Sequence, residues 1–504
     1  MMWRVSQIDP RTPVLVGTGQ VSDRPAKGET TTRTPLDLMV EAARAAAADA
    51  GPGGEALLRR TESLGIVDIF CWPVPDPGAL VARELGISPR ETVRTVIGGN
   101  SPIALLADAA GRIAAGELDV ALLGGGEVGT AFRAALMSGG STGWEEQPEG
   151  TQPTRVLGTD RPPSHEAELA AGIAYPISYY PLFEHRLRHA AGRSTQEQRD
   201  WIGEWWARYS RLAVEHPQGW AQEAMTAEQL ATPGPRNRLI SDPYTRHMNA
   251  DIGVDQAAML LLTSAEAAEA AGIPRDRWVF VHGTASASDH WFVGEREHLD
   301  RSPAIAASGR ALFGHTGTSA DDIALVDLYS CFPCAVQVGA NELGFVVDDP
   351  ERPLSVTGGL ALFGGPANNY VTHSIATLAD RARERPDELA LASAVGWYLT
   401  KHGLALLSAT PPGTPYAHHD VQSEVDATPT REIAADPSGT WTVETFTAAY
   451  DREGAASVGS VVALDADGRR AFGRTEDREV LGRLLDGDPI DGPVELDGAG
   501  GFAL

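Results

Sequence analysis

Lysine and cysteine are scarce in this chain of 504 residues. Lysine occurs twice, at Lys27 and Lys401, and arginine supplies the other permanent positive charges. The formal net charge is −27, which disfavours binding to nucleic acid or to an anionic membrane surface. We therefore expect no nucleic acid among the partners of this protein.

The three cysteines, Cys71, Cys331 and Cys334, are too few for a disulfide scaffold and are consistent with a reducing compartment. The first residues, MMWRVSQIDPRTPVLVG, lack the basic and then apolar pattern of a signal peptide. No apolar run approaches the length of a membrane span. These absences predict a cytoplasmic protein without a membrane span.

Short apolar runs alternate with helical patterns through most of the chain. TPVLVGTGQ, SLGIVDIF, TVRTVIG and GELDVALLGGGE are typical of buried strands, and the same order resumes with WVFVHGTAS, DIALVDLYS, LALASAVGWYL and GLALLSA. The pattern predicts an α/β fold of two duplicated β-α-β-α-β halves, residues 1–264 and 265–408, with a mainly parallel sheet.

Two segments depart from this alternation. The segment from 128 to about 250 is rich in Trp, Tyr, His and Pro, and it carries a capping box from Ser194 to Glu197 before a helical aromatic stripe. We predict an inserted loop domain here, with the stripe in its core. Residues 409–504 hold short alternating strands and a DADG hairpin signal, which predict a small all-β domain resembling a barrel.

The stretch GGNSP, residues 98–102, places two glycines just before a helix. Ser101 as N-cap and Pro102 at the first helical position predict that start. Backbone N–H groups and the positive end of the helix dipole therefore converge near Gly98, Gly99 and Asn100. Such a corner suits a nucleophile or an anion, yet Gly98 and Gly99 provide no side chain there.

The motif CFPC, from Cys331 to Cys334, has the spacing of a thiol-disulfide redox site. It follows a predicted strand and opens a helix, which favours a reactive first thiol. It also lies in the middle of a large α/β half, where two cysteines on one helical turn are an equally simple interpretation. A metal site is disfavoured, since no second Cys or His pair has ligand spacing.

The duplicated halves, the insertion after DVALLGGGE and the stretch NADIGVDQAAMLLLTS resemble the thiolase superfamily over roughly residues 10–408. Thiolases show C-x-S-G, a helix, I-x-x-G, a strand and then G-G-x-E. The residues in register with this pattern are Ile113, Gly116, Gly125 and Glu127. The resemblance implies that Gly99 takes the place of the nucleophilic cysteine.

The other thiolase loops are altered as well. The N-E-A-F loop, which is H-D-C-F in sterol-carrier-protein thiolases, corresponds to Tyr329-Ser330-Cys331-Phe332. The resemblance implies an acid/base role for Cys331. The G-H-P loop corresponds to Gly364-Gly365-Pro366, with Gly365 in place of the catalytic histidine. The C-x-G loop is replaced by the segment 396–403, which contains Lys401 and His402.

The resemblance therefore implies two sets of site residues and no metal. The catalytic candidates are Cys331, Tyr329 and His402. The substrate-binding candidates are Gly99, Asn100, Ser330, Gly364, Gly365, Asn368, Asn369 and Lys401. The expected ligand is CoA or an acyl-CoA, with no tightly bound cofactor.

The chain resembles thiolase-like proteins, often labelled acetyl-CoA acetyltransferases, that carry an additional C-terminal domain. Three functions stay open at this point. The first is a weak or reassigned acyltransferase or C–C lyase of lipid or sterol metabolism, with the β-rich tail as a fused OB-fold partner. The second is a non-catalytic acyl-CoA or lipid binder, and the third is redox work by Cys331 and Cys334. The resemblance allows a homodimer or a monomer.

Overall fold

The computed structural model describes residues 8–26 and 28–504, in which strands and helices alternate on either side of a long insertion. The strands are β1 Pro13–Ser22, β2 Ser63–Ile66, β3 Glu91–Thr95, β4 Val120–Val128, β5 Arg155–Leu157, β6 Leu239–Ser241, β7 Tyr244–Thr245, β8 Asp255–Ser264, β9 Val279–Ser288, β10 Ile323–Asp327, β11 Leu389–Gly396, β12 Lys401–Ser408, β13 His418–Asp420, β14 Ser438–Tyr450, β15 Ala456–Leu464, β16 Arg470–Thr475, β17 Pro493–Asp497 and β18 Phe502–Ala503. The helices are α1 Pro35–Asp49, α2 Gly54–Arg59, α3 Pro77–Leu85, α4 Ser101–Ala114, α5 Gly129–Ser138, α6 Glu166–Ala170, α7 Pro176–Ala190, α8 Thr195–Glu215, α9 Ala227–Ala231, α10 Ala265–Ala270, α11 Pro303–Thr316, α12 Pro333–Leu343, α13 Tyr370–Glu384, α14 Gln422–Asp426 and α15 Arg478–Asp486. None of the helices described here is long and apolar enough to cross a membrane.

The strand order confirms the predicted duplication. Strands of the first half lie in the order β3-β2-β4-β8-β1, and those of the second half in the order β10-β11-β12-β9. The halves join where β1 pairs with β9 through Val14 and Leu15. In this order, β11 corresponds to β4 and β12 corresponds to β8. The four residues 397–400 between β11 and β12 therefore correspond to the long insertion between β4 and β8.

The prediction of a mainly parallel sheet is wrong. Strand β8 runs antiparallel to both β1 and β4, and β12 runs antiparallel to both β9 and β11. Parallel pairs remain between β2 and β3, β2 and β4, β3 and β5, β9 and β13, and β10 and β11, so the sheet is mixed. The loop 397–400 is too short for a crossover helix, so it reverses the chain and makes β12 antiparallel to β11.

Helices α4 and α13 form the layer between the two halves. Helix α4 contacts β4 and β8 of its own half and β11 and β12 of the other, and α13 contacts β1 and β8 as well as β10 and β11. Because strands of both halves flank these helices, they are buried over most of their circumference. The N-terminus of α4 therefore opens into the interior between the halves.

The insertion builds its core from the predicted aromatic stripe. Ser194 caps α8 and forms the predicted capping box with Glu197. Trp205 and Trp206 are fully buried, and Tyr209 stacks on Trp206 with ring centroids 5.2 Å apart. The stripe is therefore part of the packed interior, as the sequence predicts.

The C-terminal strands form a second, antiparallel sheet. Its order is β16-β15-β14-β17-β18, and the insertion adds β6 and β7 through a pair between Ser241 and Ala449. Closure of this sheet into a barrel stays a prediction. Arg470 is fully buried, pairs with Glu444 at 2.7 Å and donates to the carbonyl of Gly294 at 2.9 Å. This side chain anchors the additional sheet to the second half.

Candidate functional site

The loop before α4 is held by a side chain from the second half. Gly98, with φ of 154°, donates its N–H to Oδ1 of Asn368 at 2.8 Å. The Asn368 amide donates in turn to the carbonyl of Asp68 at 2.8 Å. The N–H of Gly98 is thus already engaged, so it does not face the corner as a free donor.

The helix starts one residue differently from the prediction. Asn100 is the N-cap and Ser101 is the first residue of α4. The Ser101 hydroxyl donates to the carbonyl of Val96 at 3.0 Å and does not cap the helix. Pro102 lies in the first turn, where its missing N–H costs no hydrogen bond.

Gly99 lies against the phenol of Tyr329. A β-carbon on Gly99 would stand 2.2 Å from the Tyr329 hydroxyl and 2.5 Å from the carbonyl oxygen of Val395. Tyr329 is buried, and burial raises its pKa well above the ordinary value. The space of the implied cysteine is therefore filled by a neutral hydroxyl, and any side chain at residue 99 requires neighbouring atoms to move.

The two cysteines of CFPC are buried thiols. Cys331 is 7% exposed, and burial raises its pKa to about 12. Cys334 is fully buried, donates to the carbonyl of Tyr180 at 3.3 Å, and has its pKa raised well above the ordinary value by burial. Both are free thiols. Loss of solvation outweighs the helix-terminus effect here, so both are protonated at neutral pH.

His402 forms no hydrogen bond with Tyr329 or Cys331 in the described structure. Its Nε2 lies 3.0 Å from Oδ2 of Asp289 and 3.1 Å from the carbonyl of Leu399. Although burial opposes it, this contact with His402 lowers the pKa of Asp289. Asp289 also accepts from Ser302, the N-cap of α11. Lys401, the preceding residue of β12, lines the same cavity as His402 and Asp289.

The remaining candidates of the G-H-P region hold backbone. Asn369 donates to the carbonyl of Gly125 at 2.6 Å and accepts from Thr372. Gly365 donates its N–H to the carbonyl of Asp251 at 2.9 Å. Gly364 has φ of 119°, and a β-carbon on it would stand 2.4 Å from Oε1 of Gln256. Ser330 is likewise buried, and its hydroxyl accepts the N–H of Leu360 at 3.3 Å.

A cleft of about 730 Å³ opens beside the Gly365 loop. We call it the arginine cleft, because Arg133, Arg238 and Arg246 line it. Its apolar lining includes side chains that are largely exposed to solvent. These are Phe70 at 49%, Leu136 at 71%, Ile177 at 41% and Ile252 at 61%.

Glu127 and Cys71 lie at the wall of the arginine cleft. The Glu127 carboxylate accepts the N–H groups of Phe70 at 2.7 Å and Cys71 at 2.9 Å. Burial raises the pKa of Glu127 to about 7. Sequence reasoning used Glu127 only as a register mark and missed the arginines, since they are dispersed over the insertion and belong to no motif.

The chain is similar to thiolase-like proteins of type 1. The family described as the additional C-terminal domain of thiolase-like protein type 1 matches residues 420–498. A crystal structure of a monomeric SCP2-thiolase like protein type 1 from Mycobacterium smegmatis is 31% identical, covers 97% of this chain and 98% of that one, and has a TM-score of 0.83. No curated protein matches the chain.

Two further structures share the thiolase part of the fold. The Ltp2-ChsH2(DUF35) aldolase is 20% identical, with a TM-score of 0.59 over 79% of this chain and 98% of that chain. The Acat5 thiolase from Ascaris suum, in complex with coenzyme A, is 15% identical, with a TM-score of 0.57 over 79% of this chain and 99% of that chain. At these identities the likeness concerns the fold alone.

Replacing Gly99 by alanine should lower the free energy of unfolding by about 1–3 kcal/mol, the usual cost of overpacking a buried site. The cost should be smaller in a Tyr329→Leu background, which removes the nearest atom. Urea denaturation of the four proteins gives the coupling energy. Gly482→Ala in α15, where a β-carbon has open space, is the control and should lose no stability. Equal costs in both backgrounds would contradict the contact.

The cysteines should resist alkylation in the folded protein. With its pKa near 12, Cys331 should react with iodoacetamide at neutral pH roughly 10³-fold more slowly than an unperturbed thiol. Burial raises the pKa of Cys71 and Cys334 too, so all three should react only after unfolding. Mass spectrometry of timed reactions measures this, and one fast thiol in the native protein would contradict it.

Glu127 should make stability depend on pH. Between 4.5 and about 7 the folded carboxyl binds a proton that the unfolded one releases, so the free energy of unfolding falls as the pH rises. Relative to Glu127→Gln, wild type should lose about 2–4 kcal/mol between about pH 4 and pH 8. Denaturation at a series of pH values measures the difference. A pH-independent difference would show that Glu127 ionises normally.

Proposed function

We propose that this chain, which belongs to the SCP2-thiolase-like proteins of type 1, binds a CoA thioester in the arginine cleft and does not perform the thiolase reaction. The cleft carries the proposal. It offers arginine side chains and an apolar lining to one ligand, whereas the Gly99 corner, which does not line it, lacks the thiolase cysteine. A second candidate function, thiol-disulfide exchange by Cys331 and Cys334, is not supported, because both thiols are buried and protonated.

The missing reaction follows from the corner. Thiolysis needs a thiolate that accepts the acyl group and a base that generates it. Gly99 and Gly365 provide neither, and the Tyr329 hydroxyl occupies the space in which a cysteine at residue 99 would stand. Cys331 keeps its proton at neutral pH because of its burial. The Gly98 N–H, which could stabilise a thioester oxygen, already bonds to Asn368.

The cleft has the two chemical characters that a CoA thioester requires. Arginine binds phosphate groups through planar, charge-assisted hydrogen bonds. Within the part of the chain described here, Arg133, Arg238 and Arg246 form no ion pair with a carboxylate. In a chain with a net charge of −27, three such arginines in one cleft make a local exception to the acidic surface.

The apolar lining suits the rest of such a ligand. Leu136 and Ile252 are more than half exposed, and burying them under a pantetheine or acyl chain would remove apolar surface from water. The volume of about 730 Å³ is within the range of sites for ligands of this size. The coenzyme A bound to the Ascaris suum thiolase supports this ligand class for the fold.

Calorimetric titration with CoA and with butanoyl-CoA tests the proposal. Arg133→Ala and Arg246→Ala should each weaken binding at least about tenfold, because each removes a charge-assisted bond. Arg452→Ala, at an exposed turn between β14 and β15, is the matched control and should bind as wild type does. Unchanged affinity in both cleft variants would overturn the assignment of the cleft.

The same protein should show no thiolysis of acetoacetyl-CoA when CoA is added. Measurable turnover in wild type would overturn the non-catalytic part of the proposal while leaving the binding part standing. Binding without turnover would support both parts.

A further inference from the structure

A second cavity of about 840 Å³ lies against the N-terminus of α4 and shares no lining residue with the arginine cleft. We call it the lysine cavity. Its lining mixes apolar side chains such as Ile103, Leu157 and Trp291 with Asn100 and Lys401. Carboxylates line it as well, namely those of Asp108, Asp289, Glu295, Asp420 and Asp426. The proposed CoA-binding function makes no use of it.

Lys401 is buried in the wall of this cavity without a charged partner. The residue is 6% exposed, and its Nζ donates to the carbonyl of Ile97 at 2.5 Å. The residues of the described chain place no carboxylate within ion-pair distance of that amine. The ring of Trp397 lies 5.7 Å from Nζ. A charged ammonium is poorly solvated here, and burial lowers the pKa of Lys401 to about 8, although the nearby charge of Asp160 acts in the opposite direction.

Two glycines clear the space around the amine. A β-carbon on Gly98 would stand 2.6 Å from Nζ of Lys401 and 2.4 Å from Oδ1 of Asn100. A β-carbon on Gly396 would stand 2.8 Å from Cε of Lys401 and also 2.4 Å from that Asn100 oxygen. The loops on both sides therefore need glycine for the amine and the amide to fit.

Asn100 adds a second, independent sign of a ligand. Its Oδ1 is buried and has no hydrogen-bond partner among the described residues. A buried acceptor without a partner costs about 1–3 kcal/mol unless something else supplies a donor. Since the same residue lines the lysine cavity, a ligand that carries a hydroxyl or an amide would satisfy this oxygen.

We propose that Lys401 forms an imine with the carbonyl group of an aldehyde or ketone that enters the lysine cavity. The neutral amine of Lys401 attacks the carbonyl carbon, a C–N bond forms, and the carbonyl oxygen leaves as water with the two amine hydrogens. No oxidant, reductant or metal is needed for this step. The depressed basicity of a buried lysine is what such chemistry requires near neutral pH.

A purely structural lysine is the alternative that the experiment must distinguish. In that case Nζ only ties the carbonyl of Ile97 in place. The chain offers an internal reference, because Lys27 is the single other lysine of the sequence. The two labelled lysines can therefore be compared within one molecule.

The test is trapping with 2-heptanone as the probe. Wild type is incubated with the ketone, portions are reduced with sodium borohydride at intervals, and peptides are analysed by mass spectrometry. We expect the reduced adduct at Lys401 to accumulate at least tenfold faster than at Lys27. Lys27→Arg should leave labelling at Lys401 unchanged, and Lys401→Met should abolish it.

The pH profile adds a readout that a structural role would not give. Labelling of Lys401 should rise with pH up to about 8 and then level off, because its pKa is lowered. An ordinary lysine continues to rise towards about 10.4. If Lys401→Met does not fold, the ratio of the two sites in wild type still decides the question.

Three results would overturn the proposal. These are no adduct at Lys401, equal labelling of both lysines, or labelling at Lys401 only after unfolding. The result is separable from the CoA proposal, because Arg133→Ala should leave the adduct unchanged while it weakens CoA binding.

Discussion

The contact between Gly99 and Tyr329 controls what this corner can do. It joins the loop before α4 in one half to the loop after β10 in the other, and the phenol hydroxyl would lie 2.2 Å from a β-carbon on Gly99. A cysteine at residue 99 would overlap the Tyr329 hydroxyl, so restoring the thiolase nucleophile here requires Tyr329 to move or to be replaced. The Asn368 amide then fixes the Gly98 N–H from the same side of the interface. The missing side chain at residue 99 and the Tyr329 hydroxyl that occupies its space are thus two sides of the same contact.

The additional C-terminal sheet is attached to the thiolase fold through buried polar groups. Arg470 bridges Glu444 in its own sheet to the carbonyl of Gly294 in the second half, and this pair is buried on both sides. Arg188 of the insertion, itself buried, pairs at 2.9 Å with Asp488, which is exposed. Removing one member of a buried pair leaves a charge without compensation, which is strongly destabilising. The sheet also takes up β6 and β7 of the insertion. Insertion, second half and tail therefore fold as interlocked parts.

Much of the fold could be predicted from the sequence, because burial leaves a periodic trace. The duplicated strand order, the aromatic core of α8 and the β-rich tail all followed from apolar spacing and capping residues such as Ser194. The prediction of a mainly parallel sheet was wrong, because apolar runs do not indicate strand direction. The short loop 397–400 was the feature that determined the direction of β12. The limits of the halves at 264 and 408 stay predictions. Of the site residues, Gly99 and Tyr329 come together, whereas the burial of Cys331 depends on Tyr180 and other residues distant in sequence.

The choice between lysine and arginine separates two kinds of buried cation in this protein. Arg470 is buried with the carboxylate of Glu444, and the buried Arg188 pairs with the exposed carboxylate of Asp488, as a group that cannot lose its proton requires. Lys401 is buried with a carbonyl and an indole ring, forms no ion pair in the described structure, and is influenced by the charge of Asp160 only weakly compared with its burial. Arginine could not be neutralised at that position, whereas lysine can. In a chain that otherwise uses arginine almost throughout, the lysine at residue 401 thus stands where a neutral amine is the form that the surroundings favour.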